Sequence, residues 1–91
     1  MKKQRIEQLQ QMLGESPHDP FVLYALACEY KEGDLETAWG YFERLLTDHP
    51  AYLPTYYHAA ATAWAKSDLA TAEAVYQKGI ALAQQQQDRH A

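Results

Sequence analysis

Asp34-Leu35-Glu36-Thr37-Ala38 returns 34 residues later as Asp68-Leu69-Ala70-Thr71-Ala72. A match at a fixed offset marks a repeat architecture, so further pairs are sought at the same spacing. Working outward, Pro20 pairs with Pro54, Ala25 with Ala59, Ala27 with Ala61, Tyr30 with Trp64, Phe42 with Tyr76 and Leu46 with Ile80. The register holds over the whole stretch. The chain therefore contains two copies of one structural unit.

Inside each unit the apolar spacing is helical, and no two-residue alternation suggests a strand. The first helix is expected to start at Pro20 with Asp19 as its N-cap, since proline in a first turn gives up an N–H that had no partner. Leu23, Leu26, Ala27 and Tyr30 form its core stripe, and it runs to about Lys31. Gly33 is then expected to take the left-handed conformation that ends a helix, and Asp34 to cap the next. That second helix carries Leu35, Ala38, Phe42, Leu45 and Leu46 inward and stops before Pro50. The second unit repeats the scheme. A helix near Pro54 to Lys66 has the stripe Tyr57, Ala60, Ala61 and Trp64, a turn lies at Ser67-Asp68, and a last helix runs from Leu69 to beyond Ala83. Ala38 and Ala72 are expected where two helices cross closely. Ahead of both units, Ile6, Leu9, Met12 and Leu13 share one helical face, and Gly14 is expected to end that helix. Its spacing Leu9, Met12, Leu13, Pro17 copies Phe42, Leu45, Leu46, Pro50, so it reads as a half repeat.

The pattern resembles the tetratricopeptide repeat family, whose signature couples a bulky residue, Leu-Gly and an aromatic in one helix to Ala, an aromatic and Pro in the next. The first unit supplies Leu23, Leu26-Ala27, Tyr30, Ala38, Phe42 and Pro50; the second supplies Tyr57, Ala60-Ala61, Trp64, Ala72 and Tyr76. Two features depart from the pattern. Tyr30 to Ala38 is one residue shorter than usual, as is Trp64 to Ala72, and Gln84 stands where a closing proline is expected. The resemblance implies one all-α domain over 1–91, a right-handed stack of antiparallel helix hairpins with about five helices. Its parts are a leading half-repeat helix over 2–13, a first repeat over 18–50 and a second over 52–84.

Bulk properties narrow the function. The 91 residues are 47% hydrophobic and 22% charged, as expected of a globular chain. No run approaches the about 18 apolar residues of a membrane helix, and no apolar leader follows the first residues. A net charge of −4 argues against nucleic acid as the main partner, because phosphate binding needs clustered Lys and Arg. Lys2, Lys3 and Arg5 make the one basic cluster, read as a solvated first turn. Cys28 is the single cysteine, which fits a reducing compartment, with the cytoplasm as the expected location.

The chemistry-bearing residues do not assemble into a motif. His18 and His49 fall in loops, His58 in a helix and His90 at the C-terminus, without ligand-spaced partners, so neither a metal nor a cofactor is expected. Cys28 and His58 have no orienting third group, and Gly14, Gly33, Gly40 and Gly79 are scattered singly instead of forming a phosphate loop. The chain reads as a non-enzyme. Tyr30, Phe42, Trp64 and Tyr76 read as core; Tyr41 as half-buried; Trp39 either as a contact residue or as tucked against a neighbouring helix.

The resemblance further implies a protein-interaction module that holds a peptide or protein segment in a concave groove lined by the first helix of each hairpin. Helical geometry places Phe21, Tyr24, Cys28, Lys31 and Glu32 there from the first unit, with Thr55, His58, Thr62, Ala65 and Lys66 from the second. The clamp of lysine and asparagine that some relatives use for a C-terminal carboxylate is missing, since the chain has no asparagine. The alternative is a self-associating structural protein, forming a homodimer through an uncovered last-helix face of Val75, Tyr76, Gly79 and Ile80.

Overall fold

The computed structural model describes residues 2–90, with side chains over 3–87, so the side chains of Lys2 and His90 lie outside the described residues. Those residues form five α-helices and no strand: α1 Lys2–Glu15, α2 Pro20–Tyr30, α3 Leu35–Asp48, α4 Pro54–Ala65 and α5 Leu69–His90. Each helix packs on the next in the chain. The shortest dimension is 20 Å, which is two helix diameters. Among the described residues no helix is long and apolar enough to cross a membrane.

Side-chain caps start three of the helices. Asp19 accepts a bond from the Phe21 N–H at 2.9 Å, with Pro20 in the first turn. Asp34 accepts from the Thr37 N–H at 3.1 Å and its hydroxyl at 2.7 Å, and Asp68 accepts from the Thr71 N–H at 3.2 Å. These threonine bonds hold both carboxyls below the usual carboxylate range. α4 starts differently, because Leu53 stands where the first unit has Asp19. Its first N–H groups bond back into the turn, Thr55 to the Tyr52 carbonyl and Tyr56 to that of Leu53.

The helix ends correct two expectations about glycine. α1 runs through Gly14 to Glu15 and closes with a bond from the Ser16 N–H to the Met12 carbonyl. Gly33 is not left-handed; the Gly33 and Asp34 N–H groups both bond the Tyr30 carbonyl instead. In the second unit Ser67 takes the left-handed conformation, with φ at 65°. There the Ser67 N–H bonds the Trp64 carbonyl and the Asp68 N–H reaches the Ala63 carbonyl, the paired bonds of a Schellman ending. A serine thus occupies a site that favours glycine, while the equivalent glycine goes unused.

The core differs between the units. Leu23, Leu26 and Ala27 of α2 are buried, with Tyr30 half-buried, and Ala38, Phe42 and Leu45 of α3 are buried with them. In α4 the expected stripe is largely wrong: only Ala60 of its four members is buried, and Tyr57 and Trp64 are 67% and 66% exposed. α4 instead buries Thr55, Tyr56, Ala59, Ala60, Thr62 and Ala63. The cause is positional, because α4 lies against both α3 and α5, whereas no described helix covers the side that α4 itself covers on the first hairpin. Tyr76 is exposed for the same reason. Met12 of α1, copied from the buried Leu45, is 45% exposed, since α1 packs chiefly on α2 while α3 is sandwiched. Trp39 is tucked in, half-buried with the Lys66 ammonium 5.4 Å from its ring, and Tyr41 stacks on Tyr30 at 5.9 Å.

Helix α5 meets α4 at Gly79, where an added Cβ would lie 2.7 Å from the Cβ of Tyr56. Gly79→Ala is therefore expected to destabilise by about 1–3 kcal/mol despite the better helix propensity of alanine. Gly40, mid-way along α3 with nothing within 4 Å of such a Cβ, should respond in the opposite sense, gaining roughly 0.5–1 kcal/mol as alanine. Thermal melts of the pair check the close crossing, and equal shifts would contradict it. Ser67→Gly, relieving the left-handed serine, is expected to raise stability by about 1 kcal/mol in a denaturant titration.

Candidate functional site

Side chains of α2 and α4 meet in a cluster drawn from the two hairpins. The Tyr24 ring stands edge-on to His58, centroids 5.6 Å apart, and edge-on to Tyr52 at 5.8 Å. Tyr57 also stands edge-on to His58, at 5.3 Å. The Lys31 Nζ lies 2.7 Å from the His58 Nδ1. An ammonium has only protons to offer, so Nδ1 is the acceptor, the imidazole is neutral and its remaining proton sits on Nε2. Burial, then the Lys31 charge, pushes the His58 pKa below its ordinary value, in agreement with a neutral ring.

Cys28 and Tyr24 are coupled on the same face. Burial first and Cys28 second push the Tyr24 hydroxyl up to about 12, and burial pushes the Cys28 thiol up against the opposing pull of Tyr24 and Lys31. A thiol that keeps its proton at neutral pH is a poor nucleophile. Among the described residues no three His, Cys, Asp or Glu side chains are placed to hold a metal ion.

The other residues expected in the groove are dispersed. Phe21 is exposed at the start of α2. Thr55 and Thr62 are 0% and 2% exposed and offer no surface, because α4 turns them into the packing with its neighbours; the Thr62 hydroxyl donates to the His58 carbonyl at 2.8 Å. Lys66 is drawn to α3, its Nζ 3.1 Å from Glu36 Oε1 and over the Trp39 ring. Arg5 of the basic N-terminal cluster pairs with Glu29 at 3.3 Å. Tyr52 belongs to the cluster although sequence reasoning passed over it; an aromatic between Pro50 and Pro54 was the available signal. On the last helix, Tyr76 and Ile80 are exposed, but Val75 and Gly79 are buried, Gly79 against Tyr56, and these two fall outside any contact face.

No known family matches the chain, and no curated protein matches it. The residue pattern and the geometry carry the functional reading.

The neutral His58 has a consequence for stability. Its folded pKa lies below the unfolded value near 6.5, so the unfolded chain takes up the proton first as the pH falls. Stability is full above about pH 6.5 and declines as the pH drops through that value towards the lower folded one. His58→Gln should flatten the fall in melting temperature between pH 7 and 5. In an NMR titration His58 should show a midpoint below 6.5, which Lys31→Met raises only in part because burial is the larger cause. A midpoint at or above 6.5 would contradict the Lys31 to His58 bond.

Proposed function

We propose that this chain is a protein-interaction module of the tetratricopeptide type, holding a peptide or protein segment across the α2 and α4 face. The observation that carries the reading is the meeting of Tyr24 and Lys31 from one hairpin with His58 from the other. One of the three Lys31 ammonium protons goes to His58, leaving two, and the His58 Nε2–H adds a third donor beside them. Such a face suits a segment rich in acceptors, either extended backbone carbonyls or a carboxylate side chain. Tyr24, with Phe21 one turn earlier on α2, supplies apolar ring area with little entropy to lose. The net charge of −4 favours a protein partner over nucleic acid. The reading is of a binding module without catalysis, bound metal or cofactor, acting in the cytoplasm.

A second reading, a self-associating assembly protein, draws on the exposed Tyr76 and Ile80 of α5. Light-scattering mass over a range of concentrations decides between them: a constant monomer mass removes self-association.

With a partner segment captured from a native lysate, NMR signals of Phe21, Tyr24 and His58 are expected to shift on titration. Tyr24→Ala with His58→Ala should weaken binding about tenfold or more while leaving helix content unchanged, as loss of a central aromatic contact does. Shifts confined to α3 and α5 would overturn the assignment.

A further inference from the structure

Each position in the second hairpin has a counterpart 34 residues earlier, so what covers the first hairpin indicates what the second accepts. On the first hairpin Leu23, Ala27, Ala38 and Phe42 are buried in one cluster with Tyr56, Ala59 and Ala60 of α4. Their counterparts on the second hairpin are Tyr57, Ala61, Ala72 and Tyr76, and they line a cleft of about 570 Å³ between α4 and α5. Its aromatic walls, Tyr57, Trp64 and Tyr76, are more than half exposed. The alanine floor is retained while the covering helix is replaced by solvent.

We propose that this cleft seats an amphipathic α-helix of a partner protein built as α4 is built. Such a helix presents alanine and threonine to the floor and a lysine or arginine near its C-terminal end. This surface adjoins the α2 and α4 face at Tyr57, whose ring also meets His58, but it opens on the α5 side of α4 and takes a different ligand.

Two observations define the occupant. Apart from Tyr56, the buried residues of α4 are all Ala or Thr, so its backbone can lie close over Ala27 and Ala38. Ala61 and Ala72 preserve that clearance, and a helix with Leu or Phe in the places of Ala59 and Ala60 would stand off from them. The second observation is charge. At the C-terminal end of α4, Lys66 reaches Glu36 at 3.1 Å and lies 5.4 Å from the Trp39 ring. The counterpart of Trp39 is Glu73, a carboxylate lining the cleft, and the counterpart of Glu36 is Ala70. A lysine carried in as Lys66 is carried would meet one carboxylate on either hairpin. A second copy of the chain cannot offer its α4 to the cleft, because Ala59 and Ala63 of that helix are buried in its own core.

The test uses a side-chain-bridged helical peptide of residues 53–67, with glutamine in place of the two exposed aromatics, Tyr57 and Trp64, titrated into the full chain. Binding is expected to shift the signals of Ala61, Ala72 and the Trp64 indole. A Lys66→Glu version of the peptide should bind roughly fivefold more weakly, and Glu73→Lys in the protein should restore it, as expected of an exposed ion pair. Three outcomes overturn the proposal: no binding at millimolar peptide, shifts centred on Ala38 and Phe42 from displacement of α4, or a concentration-dependent dimer that Trp64→Lys abolishes. The last would make a second copy the occupant.

Discussion

Close approach of α4 to the hairpin of α2 and α3 is the contact on which the rest of the structure depends. Ala27, Ala38 and Ala59 are all fully buried at it, with Leu23 and Phe42 supplying the bulk around them. Alanine contributes little transfer free energy, about a methyl group's worth. Its value here is clearance: two backbones that come close place many atoms within dispersion range, each pair weak and the sum large. α5 then joins the core through α4, with Gly79 against Tyr56. The Tyr24 and His58 contact likewise joins the two hairpins across this approach.

Most of the helix scheme was legible in the residues because its signals are local. Asp19, Asp34 and Asp68 cap through their own side chains, and Pro20 and Pro54 stand in first turns where proline costs nothing. The glycine signals were weaker, since a glycine permits a left-handed turn without requiring one. Gly33 makes its turn with ordinary φ, while Ser67 accepts strain because the Asp68 cap follows it directly and the two N–H bonds of the Schellman ending offset the cost. Burial of the second unit was not legible. Tyr57, Trp64 and Tyr76 match Leu23, Tyr30 and Phe42 in type, yet burial depends on a neighbour, and a self-match compares residues without comparing neighbours.

The candidate site was legible in the same uneven way. Tyr24, Lys31 and His58 came from the groove that the family resemblance implies, with helical phase picking the positions, and the structure brings all three together. Thr55 and Thr62 failed because α4 is rotated so that its small residues, not its aromatic stripe, fill the interior. A helix whose apolar residues are mostly alanine has no strong apolar face from which its rotation can be read. Lys66 failed for a longer-range reason: the carboxylate and indole that draw it away lie 30 and 27 residues earlier, on α3.

Helix α4 answers three demands with three faces. Thr55, Ala59 and Ala63 are small enough to be buried completely. His58 turns towards α2, where its ring is closed in by Tyr24 and its Nδ1 by Lys31. Tyr57, Ala61 and Trp64 are left for the cleft with α5. Spacings of three and four residues keep these sets apart around one helix, so each can be altered without the others only while the rotation of α4 is held. That rotation is held at both ends: by Lys66 on Glu36 and Trp39 at the C-terminus, and near the N-terminus by the Tyr56 hydroxyl, which donates to the Pro50 carbonyl at 2.6 Å. A turn of α4 that exposed its alanines would carry His58 away from Lys31 and swing Trp64 out of the cleft. The two surfaces therefore meet at Tyr57 and share one mechanical support.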